Sequence, residues 1–155
     1  AILQVNAFRE KEALATAEDL KTQLRLIRTD AALVDSIKDE RTETFRNHLE
    51  EELQKLKNRQ NIEIDDPRMQ QEILYLMQKL DVNEELKRLA EHCRLFEQTI
   101  LTESTQGKKL NFIAQEMGRE INTLGSKAFD KEIQHCVIRM KDALEKIKEQ
   151  VLNIL

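Results

Sequence analysis

The sequence has no tryptophan, one proline, three glycines and two cysteines in 155 residues, and aromatics make up only 4% of it. Each scarcity excludes something. A sheet protein with many tight turns uses Gly and Pro at most reversals, and four such residues in all argue against that class. The cysteines, Cys93 and Cys136, lack the short spacings of a zinc site. In His92-Cys93 and His135-Cys136 the two side chains point about 100° apart on a helix, so neither pair readily chelates one ion. Buried free thiols are the expectation for both cysteines. No apolar run approaches the roughly 20 residues of a membrane helix, and no signal peptide is visible. The expectation is therefore a cytoplasmic protein with no membrane partner. The net charge of -4 gives no global basic field to draw nucleic acid. The charge is uneven, however: from Gly107 onward there are nine Lys and Arg against seven Asp and Glu.

What is present is charge, 35% of the residues, and helical periodicity. From Val5 to about Asn58 there is neither Gly nor Pro. Leu20, Leu24, Ile27, Ala31, Val34 and Ile37 form one stripe, continued by Phe45, Leu49, Leu53 and Leu56. The spacing predicts one very long helix, or two with a kink near Asp39. A polar turn follows from Asn58 to Asp66. Asp66-Pro67 then predicts a helix start, with Asp as N-cap and Pro at the first helical position. Asp81 with Glu84 three residues on reads as a capping box, marking a new helix or a kink. Val82, Leu86, Leu89, Cys93, Phe96 and Ile100 make a coiled-coil-like seam. A loop is expected from Thr102 to Gln106. The last helix, from about Asp130, carries Ile133, Val137, Met140, Leu144, Ile147, Val151 and Ile154 in an unbroken a/d pattern. Such a seam wants another helix along its whole length, and with Leu152 and Leu155 beside it predicts self-association. The fold class is all-α, a long antiparallel helical bundle with coiled-coil-like seams. Residues 1–70 are read as a long helical hairpin or linker region and 71–155 as a helical domain.

The most informative stretch is Gly107 to Lys127, GKKLNFIAQEMGREINTLGSK. Leu110, Ile113, Ala114, Met117, Ile121 and Leu124 form its apolar stripe, and the helix is expected to stop at Gly125. Glu116 and Glu120 stack on one flank, Gln115 and Asn122 lie on the other, and Arg119 faces away. This stretch resembles the C-terminal signature of the YicC-like family, roughly G-K/R-K-L-D-F-x-x-Q-E-M-x-R-E-x-N-T-L-G-S-K. It departs from that pattern at Asn111 and Gly118, where an acidic residue and Asn are usual. Asp81 to His92, DVNEELKRLAEH, is similar to the family's D-I-x-E-E-L-x-R-L-x-S-H. The ending KEQVLNIL is similar to R-E-Q-V-Q-N-I-E. The resemblance covers about the last 75 residues. Arg9 to Ala13 matches R-x-x-E-G only weakly, and an Arg–Glu pair on a solvated face accounts for it as well. Family members are about twice as long, and the chain begins at Ala1 without Met, so a fragment lacking an N-terminal domain is expected.

The resemblance implies a metal-dependent endoribonuclease acting on RNA, a homo-oligomer that is hexameric at full length, and contact with other RNA-decay proteins. Mg²⁺ or Mn²⁺ needs hard oxygen ligands, and one or two carboxylates can suffice because water and phosphate fill the other positions. Glu116 and Glu120 are the expected ligands and catalytic groups, with Glu84, Glu85 and Asp81 completing the site. His92 shares a helix face with Glu85 and Arg88 and suits a general acid or base. Lys108, Lys109, Arg119, Lys127 and Arg88 are expected to bind phosphates, with Gln115 and Asn122 beside them. Phe112, opposite the apolar stripe, is the one candidate stacking platform, or else part of a subunit contact. Blander accounts stand beside each: Glu116 and Glu120 paired with Arg119 or Lys127 on a solvated flank, Glu84 as a cap, His92 as a helix-edge residue. A non-catalytic helical RNA-binding, adaptor or oligomerisation module is the alternative function.

Overall fold

A computed structural model describes residues 2–60, 65–102 and 107–154, with side chains for 14–59, 65–101 and 107–153. The described residues are helical almost throughout, without a strand, as the scarcity of turn formers requires. α1 spans Ile2–Gln60, α2 Asp66–Leu80, α3 Asn83–Thr102, α4 Gly107–Lys127 and α5 Lys131–Ile154. α1 runs through Asp39 without interruption, so the single long helix is the form adopted. At 1.5 Å per residue it is about 90 Å long, far longer than its partners. The segments 61–64 and 103–106, the middle of the expected turn and most of the expected loop, lie outside the described residues, as do the side chains of the Arg9 to Ala13 motif, while Asn58 to Gln60 of the expected turn are helical. The border expected at residue 70 falls inside α2.

The core lies where α1 packs on α5, α5 on α4, and α4 on α3. Leu20, Leu24, Ile27 and Val34 of α1 meet Leu89, Cys93 and Phe96 of α3 in one buried cluster. Leu110, Ile113, Ala114, Met117, Ile121 and Leu124 of α4 and the α5 seam from Ile133 to Val151 complete it. Both cysteines are buried and free. The α5 seam, expected to seek a second chain, is thus covered within the chain, because a solvent-excluded partner is all that an a/d stripe requires. Ile154 and Leu155 have no described side chains.

Three helix boundaries differ in detail from expectation. α2 is capped by Asp65 rather than Asp66: the Asp65 carbonyl accepts from the Met69 N–H at 2.9 Å, without a side-chain cap bond. The Asp66 carboxylate accepts from Lys57 Nζ at 3.0 Å instead. α3 is a separate helix, but the capping box is not reciprocal. Asp81 Oδ1 accepts from the Asn83 N–H at 2.8 Å, while Glu84 pairs with Arg88. α4 continues past Gly125 to Lys127. Gly125 serves close approach rather than termination, since a Cβ there would meet Val137 Cγ1 at 3.0 Å. At the start of α5, Asp130 Oδ1 accepts from the N–H groups of Glu132 and Ile133 at 2.9 and 3.2 Å.

Candidate functional site

α3 and α4 lie antiparallel, and two contacts fix their register. Lys127, near the end of α4, donates to Glu85 Oε1 at 2.8 Å and to the Asp81 carbonyl at 2.9 Å. Further along, Arg88 Nη1 stands 4.0 Å from Glu120 Oε1. The same register places His92, half-buried, at the level of Glu116. The two motifs recognised in the sequence therefore form one seam. The apolar stripes of both helices face the core, and their polar flanks meet at the surface.

Charges alternate along this seam. Glu84 bonds Arg88, Arg88 leans towards Glu120, and Arg119 Nη1 holds Glu116 Oε1 at 2.8 Å. Glu85 and Glu120 are both buried, and Glu85 Oε2 has no hydrogen-bond partner. Burying carboxyl groups is costly unless they are paired. The Lys127 clamp offsets that cost for one oxygen of Glu85 only.

The cations expected to form one phosphate-binding set are divided. Lys108 and Lys109 lie exposed on the first turn of α4, and Lys127 lies at its other end, about 28 Å away along the axis. Lys127 is already engaged by Glu85 and Asp81, and Arg119 by Glu116. Gln115 and Asn122 are exposed on the α5-facing flank of α4. Among the described residues, no three His, Cys, Asp or Glu side chains are grouped so as to hold a metal ion. Glu84, Glu85, Glu116 and Glu120 each face a cation instead. No helix among the described residues is long and apolar enough to cross a membrane.

The sequence reading missed one prominent ion pair. Arg139 of α5 reaches buried Asp30 of α1, with Nε to Oδ1 at 3.0 Å, and Arg139 Nη2 also lies 3.3 Å from Cys136 Sγ. Asp30 holds the Arg139 guanidinium above its ordinary value. A signal was present: Asp30 sits three residues after Ile27 and four before Val34, so an acid occupies the apolar stripe. A 340 Å³ cleft beside the pair is lined by Gln23, Leu26 and Lys146, and Gln23 Oε1 is buried there without a partner. Neither thiol is set up as a nucleophile. Burial pushes Cys93 up to about 12, and burial with the Asp30 charge raises Cys136.

The fold defines an all-helical bundle in which two motif helices join along one charged seam. Residues 34–155 match the family described as "Endoribonuclease YicC-like, C-terminal", and the chain belongs to that family. The match begins well before the stretch recognised by motif. The chain is 32% identical over 154 residues to the "Probable endoribonuclease YicC" of Clostridioides difficile, covering 99% of this chain and 52% of that protein. It is 36% identical over 93 residues to the protein of the same name from Haemophilus influenzae, covering 60% of this chain and 32% of that protein. The chain thus spans about half the length of the first of these relatives.

Proposed function

We propose that this chain is the helical part of an endoribonuclease that hydrolyses RNA phosphodiester bonds, with the α3–α4 seam as its chemical surface. The observation that supports this best is the pair of buried carboxyl groups, Glu85 and Glu120, on the polar flank where the two motif helices meet, with Glu85 Oε2 left without a hydrogen-bond partner. In this reading Arg88, held between Glu84 and Glu120, presents its guanidinium to a phosphate and stabilises the charge that develops on it. Water attacks phosphorus, one P–O ester bond breaks, and the leaving oxygen takes up a proton. His92 and the Glu116–Glu120 flank are the groups placed to move the protons. Mg²⁺ or Mn²⁺ dependence belongs to the proposal as a requirement of the whole enzyme. Self-association also belongs to it, through a surface other than the α5 seam.

The test is cleavage of a structured RNA by the full-length protein, with and without EDTA, for the parent and for Glu116→Gln and Glu120→Gln. Each substitution should lower cleavage by at least ~100-fold, the scale of losing one electrostatic contribution at the reacting centre. Thermal melts and RNA binding should stay close to the parent. Parent-like cleavage in both variants would remove the flank from the site. If cleavage by the parent appears only when another nuclease is added, the chain is an adaptor.

A further inference from the structure

Phe112 is the large apolar side chain on α4 that the core does not use. It is 62% exposed, one of the most exposed large hydrophobic residues described, and lies opposite the buried stripe. The other exposed aromatic ring among the described residues, Tyr75, is covered by Lys79 Nζ at 4.5 Å from its centroid. Phe45 and Phe129 pack on one another, with centroids 4.6 Å apart. No such ring contact or cation is found for Phe112 among the described residues.

Its neighbours are basic. Helical spacing puts Lys108 and Lys109 one turn before it, about 6 Å along the axis, and Arg119 two turns after it, about 10 Å away, all on the outer face. Glu116 shares this face but is committed to Arg119. Both lysines are exposed and form no ion pair with a described residue. An apolar partner helix would have to desolvate these cations without compensation. A nucleotide meets both demands: its base stacks on the ring, and its phosphate lies against the ammonium groups and the first N–H groups of α4.

We infer that Phe112, with Lys108 and Lys109, forms a binding subsite for an unpaired RNA nucleotide, distinct from the α3–α4 seam and selecting single-stranded or loop segments over duplex. It rests on the RNA-cleaving reading proposed above and adds the substrate form. Duplex bases are already stacked and cannot present a face to the ring, so the subsite discriminates by strandedness rather than by base identity.

The chain contains no tryptophan, which gives the test a silent background. Phe112→Trp in this 155-residue chain places a single fluorophore at the subsite, and an exposed position tolerates it. Adding a single-stranded homopolymer RNA should quench the indole, and the same length of duplex should quench it at least ~10-fold less at equal concentration, on the scale of stacking one base. Phe112→Leu, apolar but unable to stack, should weaken single-strand binding by about 10-fold and leave duplex binding unchanged. Equal quenching by both forms overturns the inference. So does quenching that depends on protein concentration without RNA, which would make Phe112 a contact between protein chains. If parent protein binds RNA and Lys108→Glu/Lys109→Glu weakens it while the Trp signal stays flat, the subsite fails and the RNA reading survives. If the parent chain binds no RNA, the subsite fails, and cleavage by the full-length protein decides the broader reading separately.

Discussion

α1 carries one apolar stripe but passes through two environments. Between Leu20 and Val34 the stripe is essentially inaccessible to water apart from half-buried Ala31. Between Leu49 and Leu56 the same spacing leaves the side chains half-buried or exposed. The difference is one of length. α5 has 24 residues and reaches only about 36 Å, so α1 outruns the bundle after Arg41 and Phe45 contact Glu132 and Phe129 at the base of α5. Beyond that point, among the described residues, only α2 accompanies it. α2 buries Ile73 alone and leaves Leu74 and Tyr75 exposed, and a 480 Å³ groove lined by Leu49, Leu53, Met69 and Leu76 opens between the two helices. Periodicity announces that a helix has an apolar face. It does not say how many neighbours will cover that face.

The comparison is broken or upheld most sharply by matched truncations. Leu124→Ala in the bundle should cost about 2–5 kcal/mol, as a fully buried Leu leaves a cavity, whereas Leu76→Ala in the arm should cost under about 1 kcal/mol. Urea titration of both variants measures this, and similar losses would show that the arm folds as tightly as the bundle.

A smaller effect should come from the pair that ties the covered half of α1 to α5. Removing Arg139 leaves Asp30 buried without its cation. Because the Arg139 side chain is half exposed, water screens part of the loss, and Arg139→Ala should lower stability by less than Leu124→Ala does. Arg139→Ala and Asp30→Asn should be less than additive in a double-mutant cycle, and strict additivity would show that the contact carries no coupling.

Alkaline pH should single out the bundle next. Cys93 is raised from 9.0 to about 12, chiefly by burial. Between those values the unfolded chain has released a proton that the folded chain keeps, so stability falls as pH rises above 9. From pH 9 to 10 the parent should lose about 1 kcal/mol more than Cys93→Ala, and parallel slopes would refute the assignment.

The smallest change belongs to the arm. Lys57 meets Asp66 at 3.0 Å across the α1–α2 junction, with both side chains substantially exposed. Lys57→Ala should shift global stability by no more than about 0.5 kcal/mol, while amide exchange in α2 quickens. A loss of several kcal/mol would mean that the arm is integral to the core.

How much was legible follows from what each feature depends on. The all-α class and the stripes of α3, α4 and α5 could be read from residue spacing, because a period of 3.6 is a property of the chain alone, whereas the meeting of the two motif helices is decided by packing. Which seam is internal could not be read: the a/d run of α5 has the same pattern whether α1 or a second copy covers it. The last lysine of the signature stretch, Lys127, could not be placed either. Lys127 has the sequence of a phosphate ligand, yet it bonds Glu85 and Asp81, 42 and 46 residues away. Asp30 and Arg139 lie 109 residues apart, and only the crossing of α1 on α5 makes them a pair. Local spacing fixes which residues share a helix face. Only the packing of helices decides which charges meet, because a side chain's electrostatic partners are chosen by distance in space and not along the chain.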